Sequence, residues 1–236
     1  MAYRCSGTTN QQLIANMRTS GLINSDIVEA AFKKVDRKNY VLDESDAYID
    51  APQPIKCNAT ISAPHMHAEA TTNLLPFLKP GSRVLDVGSG SGYTAAIFHQ
   101  LVRSDSLEGA GPSGKVVGID HMTELVAWSI ENLRKDGLGS ALESGEVEMV
   151  VGDGRKGWPA AAPYDAIHVG AAAPEIPKEL IDQLKAPGRM FIPVGTGLQK
   201  IFQVDKDQAG NVTQKPLLDV MYVPLTDQAT QARKFF

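Results

Sequence analysis

The residues with chemistry to offer fall in four short stretches. The first is Gly88-Ser89-Gly90-Ser91-Gly92, preceded by Asp86. Glycines adopt positive φ and let a backbone approach a ligand closely. A helix starting behind them presents unpaired N–H groups. The second and third stretches end in acids, Asp120 after Lys115-Val-Val-Gly-Ile and Asp153 after Val151-Gly152. In nucleotide-binding units an acid at such a strand end accepts hydrogen bonds from ribose hydroxyls. Asp120 stands further from the glycines than the usual gap of about 20 residues, and the polar segment Arg103 to Gly114 accounts for the excess. The fourth stretch is Ala59-Thr60-Ile61-Ser62-Ala63-Pro64-His65-Met66-His67. His65 and His67 offer metal-binding nitrogens, but no cysteine or acid accompanies them. Ser62 offers a nucleophile without a G-x-S-x-G elbow, a helix N-cap ahead of Pro64, or a hydroxyl that orients a substrate carboxylate.

These residues need elements to hold them. Val84, Leu85 and Val87 read as a strand, and Thr94, Ile97, Phe98 and Leu101 as the inner face of the helix behind the glycines. Lys115–Asp120, Val147–Val151, Tyr164–Val169 and Arg189–Val194 read as further strands, with helices between them carrying Met122, Leu125, Val126 and Leu133, and spanning about Pro177 to Leu184. Ile201–Val204 and Leu217–Leu225 suggest a closing hairpin around Asp205–Gly210. Before the glycines, residues 9–20 form an amphipathic helix with the stripe Leu13, Ile14 and Met17, capped by Thr8 or Thr9 and ended by Gly21. Ser25 caps a second helix with Val28, Ala31, Phe32 and Val35 on one face. A proline-punctuated loop through Asp50, Pro52, Gln53 and Pro54 then leads to Ser62 and a helix from Pro64.

Strands alternating with helices argue an α/β, Rossmann-like, doubly wound, mostly parallel sheet. An N-terminal helical extension precedes it and one antiparallel strand lies near its edge. One domain over 1–236 is expected, with the extension and substrate loop in 1–80, the core in 81–195 and the closing strands in 196–236. Ligands of such sheets bind outside the carboxyl ends of the strands. That puts Gly88–Gly92, Asp120, Asp153 and Gly170 on one rim.

Composition narrows the classes. A net charge of −4 with scattered lysines and arginines gives no footprint for nucleic acid. No apolar run suits a membrane span, and the first residues lack a signal-peptide core. Cys5 and Cys57 have neither metal-ligand spacing nor a disulfide framework, so a reducing, cytoplasmic location is expected. A monomer without metal is expected as well.

The spacing of the glycines separates two ligand types. A dinucleotide fingerprint would place a third glycine where Tyr93 stands. The form D-x-G-x-G-x-G, with Asp86 leading, instead resembles the first motif of S-adenosyl-L-methionine methyltransferases. Ala59 to His67, Leu85 to Gly92, Tyr164 to Ala172, and Tyr222-Val223-Pro224-Leu225-Thr226 together resemble the protein-L-isoaspartate (D-aspartate) O-methyltransferases over nearly the whole chain. The resemblance implies that Ser62 is the active-site serine. It implies cofactor contacts at Ala59, Thr60, Ile61, His67, Asp86, Gly88, Ser89, Gly90, Asp120, His121, Gly152, Asp153 and Thr226, with Asp153 near the adenine amine. Gln53, Ser62 and Val223 would meet the substrate. The implied cofactor is S-adenosyl-L-methionine, leaving S-adenosyl-L-homocysteine, and the implied partners are isoaspartyl peptides and damaged proteins. The chain departs from the family where Lys56 and Cys57 replace a glycine and an aromatic residue. A small-molecule methyltransferase, a silent module that only recognises damage, and a nicotinamide oxidoreductase are the rival readings.

Overall fold

The structure, a computed structural model, describes residues 5–104 and 111–232. Of the expected polar insertion Arg103 to Gly114, residues 105–110 lie outside the described residues.

Two helices open the chain, α1 (Asn10–Thr19) and α2 (Asp26–Lys34). Thr9 caps α1 by accepting from the Gln12 amide at 3.1 Å, while Ser25 stands at the α2 cap position without making a side-chain bond. A two-residue ladder, β1 (Gln53–Pro54) against β2 (Thr60–Ile61), precedes α3 (Pro64–Leu74). The core then alternates β3 (Arg83–Val87), α4 (Tyr93–Val102), β4 (Lys115–Asp120), α5 (Thr123–Lys135), α6 (Gly139–Ser144), β5 (Val147–Val151), β6 (Tyr164–Val169) and α7 (Lys178–Gln183). β7 (Leu184–Val194), β8 (Gln199–Lys206), β9 (Val212–Val220) and α8 (Gln228–Ala232) complete it.

The main sheet has the order β5-β4-β3-β6-β7-β8-β9. The first five of these are mutually parallel, β8 runs against β7, and β9 runs against β8, so β8 alone is reversed. Strand residues alternate between the faces, as a pleat requires. Val84, Val116, Ala166 and Phe191 join one apolar core with Leu13, Phe32 and Phe98 from the helices. Their neighbours Leu85, Val117, Ile167 and Ile192 join a second core with Leu180 on the opposite face. The chain leaves β3 toward β4 and β6 toward β7, so the order reverses between β3 and β6. Such a reversal opens a crevice at the strand ends.

The closing strands differ from expectation. β9 runs Val212–Val220, not Leu217–Leu225. The ladder stops because the Gln199 side chain takes over the next backbone groups: its Oε1 accepts from Tyr222 N at 2.6 Å and its Nε2 donates to Tyr222 O at 3.1 Å. The chain then crosses to Ala172, which donates to Val223 O and accepts from Leu225 N, both at 2.8 Å. Pro216 is tolerated in β9 because that strand is the sheet edge.

Candidate active site

Gly88, Gly90 and Gly92 take φ of 72°, 51° and 86°, a left-handed path that side chains resist. The path turns amides toward β4: Gly88 N donates to Ile119 O at 2.9 Å, and Gly90 N donates to Asp120 Oδ2 at 3.1 Å. Met122 N donates to Asp120 Oδ1 at 3.0 Å. Burial raises the Asp120 pKa, and these two amides oppose it. The carboxylate is thus fixed by backbone, with further lone pairs for a ligand. It borders a cavity of about 220 Å³ at the crevice, walled also by Ala59, Thr60, His121 and Thr226. α8 crosses its mouth. Gln231 accepts from His121 Nε2 at 2.7 Å and donates to Cys57 O at 2.7 Å, and the Gln228 amide donates to His121 O.

A second, smaller cavity of about 30 Å³ lies between the glycines and Ile61-Ser62. His67, Ser89, Thr94 and His168 border it. His67 is buried and meets Thr94 Oγ1 at 3.2 Å through Nδ1. Burial, with Arg37 adding to it, holds its pKa well below 6.5, so the ring is neutral. His67 Nε2 and Ser89 Oγ are buried without a partner. An unmade buried bond costs about 1–3 kcal/mol, so a polar ligand group fits beside them. His168 Nδ1 meets Asp86 Oδ1 at 2.7 Å, and the imidazole stacks on Phe191 at 6.2 Å.

A groove of about 790 Å³ lies beyond, between Pro52, Ser62, His65 and Met66 on one side and residues 218–224 on the other. Thr60 and Gly170 border all three spaces. Ser62 borders both the small cavity and the groove. Ala63, not Ser62, is the N-cap of α3, and Pro64 follows in the first turn. The Ser62 carbonyl accepts from Arg37 Nη2 at 2.9 Å. Its hydroxyl shares a hydrogen bond with that of Tyr222, whose pKa burial pushes to about 12 against this bond. His65 Nδ1 meets the buried Asp50 carboxylate at 2.8 Å. His65 and His67 therefore serve different neighbours. Among the described residues no three His, Cys, Asp or Glu side chains gather to hold a metal ion.

The sequence-derived residues divide accordingly. Ala59, Thr60, Gly88, Gly90, Asp120, His121, Val223 and Thr226 wall the cavity of about 220 Å³, while Ile61, His67 and Ser89 wall the small one. Three acids or amides and a glycine stand elsewhere. Asp86 backs His168 instead of bordering a cavity, because its carboxylate is turned into the sheet interior at 1% exposure. Asp153 closes on Arg155 at 2.8 Å and 2.9 Å, which lowers its pKa, and Gly154 borders the cavity in its place. Gly152 donates its amide to Asp120 O at 3.0 Å and faces Ile119. Gln53 turns its amide to Asp46 O, leaving Pro52 on the groove. Lys56 lies over the Trp128 ring at 5.7 Å and Cys57 against Glu124 at 3.5 Å, so neither borders the groove. Asn58, His168, Tyr222 and Gln231 border cavities and were not singled out from sequence. Only His168 had a signal there, as a polar residue in the run Tyr164–Val169 that the pattern buries.

The family model described as protein-L-isoaspartate (D-aspartate) O-methyltransferase matches residues 8–230. Protein-L-isoaspartate O-methyltransferase 1 of Arabidopsis thaliana is 48% identical over 224 residues, covering 95% of this chain and 94% of its own. The protein-L-isoaspartate O-methyltransferase of Caenorhabditis elegans is 46% identical over 233 residues, covering 98% of each chain. A crystal structure described as a Plasmodium falciparum protein-L-isoaspartate O-methyltransferase with S-adenosyl-L-homocysteine has a TM-score of 0.84 at 32% identity. It covers 93% of this chain and 99% of that one.

Proposed function

The chain belongs to the protein-L-isoaspartate (D-aspartate) O-methyltransferase family, and from that premise we propose how its residues divide the work. The reaction moves a methyl group from S-adenosyl-L-methionine to the free α-carboxylate of isoaspartyl residues in damaged proteins. When bound, the cofactor supplies a methyl group on a positively charged sulfur. Asp120, fixed by Gly90 and Met122 amides, accepts the ribose hydroxyls. His121, Thr226 and Gln231 close the nucleoside cavity. His67 Nε2 and Ser89 Oγ meet the polar amino-acid end, which answers their lack of partners.

Ser62 is the observation that carries the assignment, since it and Thr60 are the hydroxyl residues of their loop that line both the small cavity and the groove. A carboxyl with pKa near 4 is ionised at pH 7, so the acceptor oxygen needs no general base. Charges of opposite sign vanish during transfer, and strong direct bonds to the carboxylate would favour the reactants. A single hydroxyl orients the oxygen at little such cost. Alignment then supplies up to roughly 7–11 kcal/mol of the acceleration. Tyr222 and Val223 bound the groove beside Ser62, where an extended peptide is read through its backbone. The ester carries methoxide, a far better leaving group than the oxygen of a carboxylate. The neighbouring backbone amide nitrogen attacks the ester carbonyl, the C–O bond breaks and methanol leaves with the amide proton, giving a succinimide whose hydrolysis returns some aspartate.

We read residues 1–236 as one domain acting as a cytoplasmic monomer. Cys5 and Cys57 are free thiols, which suits a reducing compartment. The decisive test uses two peptides differing only in linkage at one aspartate. The isoaspartyl form should gain a methyl by mass spectrometry and later show succinimide and aspartyl forms. Equal methylation of both, or of neither with S-adenosyl-L-methionine bound, would sink the assignment.

A further inference from the structure

Arg37 is fully buried, yet no carboxylate among the described residues stands within 4.0 Å of it. Burying a cation without a close partner is costly and needs a reason. Its Nη2 is spent on the Ser62 carbonyl at 2.9 Å, and its guanidinium lies 5.2 Å over the Tyr93 ring. Nε and Nη1 have no acceptor at ordinary hydrogen-bond distance, and the remaining polar neighbour of the guanidinium is the Tyr93 hydroxyl. The carboxylate that acts on it is Asp50, whose Oδ1 is committed to the backbone and imidazole of His65 and whose Oδ2 is buried without a hydrogen-bond partner. The cation is therefore balanced only in part, and from a distance.

Its position is built in. The turn Arg37–Tyr40 is fastened to the end of α5, where Asp136 accepts from Asn39 Nδ2 at 2.6 Å and from Tyr40 OH at 2.8 Å. None of the residues lining the three cavities is a lysine or arginine. An anionic acceptor thus enters a site whose walls hold no lysine or arginine, next to a Ser62 whose main chain is bonded to a buried arginine.

We propose that Arg37 is the positioning residue of the acceptor side: it fixes the Ser62 main chain and draws the substrate carboxylate toward the Ser62 hydroxyl without touching it. A cation held back in this way attracts the carboxylate while leaving its attacking oxygen free of a strong bond. The inference rests on Ser62 meeting the acceptor carboxylate.

The test measures binding, by calorimetry on protein saturated with S-adenosyl-L-homocysteine. Two peptides are compared, one isoaspartyl and one with the α-carboxylate replaced by a carboxamide. Wild type should prefer the carboxylate by about tenfold or more, the size expected of a partly screened attraction across the interior. R37M should lose most of that preference while its affinity for the carboxamide peptide stays unchanged, and R37K should recover part of it. R37Q, whose amide can still donate to the Ser62 carbonyl but carries no charge, should lose the preference as R37M does. Equal binding of both peptides by wild type would overturn the proposal. So would an R37M or an R37Q, whichever folds, that keeps the preference. Failure of wild type to methylate any isoaspartyl peptide would sink the family's activity for this chain. Intact methylation with equal binding would remove only the role of Arg37.

Discussion

The cofactor side and the acceptor side of the site are made of different materials. Around the cavity of about 220 Å³, the fixed groups are glycine amides and an acid at the ends of β3 and β4. A doubly wound sheet brings those ends together in any case. The groove of about 790 Å³ is walled by loops, and single side chains hold those loops in place. Arg37 pins Ser62, Asp50 pins His65, and Gln199 pins Tyr222. Under the proposed division of the site, affinity for the nucleoside is a property of the fold, whereas handling of the peptide is a property of a few side-chain bonds.

Substitutions on the two sides should fail in different ways. Asp120→Ala removes a charged acceptor and should weaken S-adenosyl-L-methionine binding by about 1.5–3 kcal/mol in calorimetry. Asp153→Ala, whose carboxylate is spent on Arg155, should change that affinity far less. An equal loss from both would erase the distinction drawn at the cavity. Ser62→Ala should lower turnover by about tenfold, an amount in keeping with one hydrogen bond of roughly 1.5 kcal/mol to a charged group. Melting temperature and cofactor affinity should hold, since Ala63 is the cap of α3. Gln199→Ala tests the boundary between the sides, because the strap it holds includes Val223, which borders both spaces. It should raise both apparent Michaelis constants a few-fold, in line with about 0.5–1.5 kcal/mol for each bond lost. A rise confined to the peptide would show that the strap belongs to the acceptor side alone.

The same difference of material explains what was legible in the sequence. Short apolar runs bounded by turn residues located β3 to β7, and the glycine spacing with Asp120 located the rim. Those signals are local, so they survive translation into structure. Ser62 and its neighbours were identified by resemblance to a family, since no periodicity marks a loop. Asp86 was assigned to the cofactor by resemblance to a glycine motif, and Asp153 by its place at a strand end as well. Their carboxylates instead turn to His168 and Arg155, partners 82 and two residues away. The direction of Asp86 depends on what the neighbouring strand presents, which its own strand's sequence does not contain, whereas the partner of Asp153 stood two residues on in the same turn. The end of β9 was misplaced for the same reason, because Gln199 ends the ladder from across the turn. Arg37 carried no signal either. A lone arginine in a polar turn looks like surface until the fold closes over it.

The groove's two-sided wall sets a condition on the clients themselves. With Pro52 and His65 on one bank and residues 218–224 on the other, a damaged site must be surrendered as a free length of chain before Ser62 can reach it. An isoaspartyl residue inside a folded client is therefore met only during local opening. Under those conditions the repair rate is the enzyme's own rate multiplied by the fraction of time the client is open. Each roughly 1.4 kcal/mol of local stability in the client then slows its own repair about tenfold. The most rigid proteins would keep their damage longest, and those that fray would be mended first.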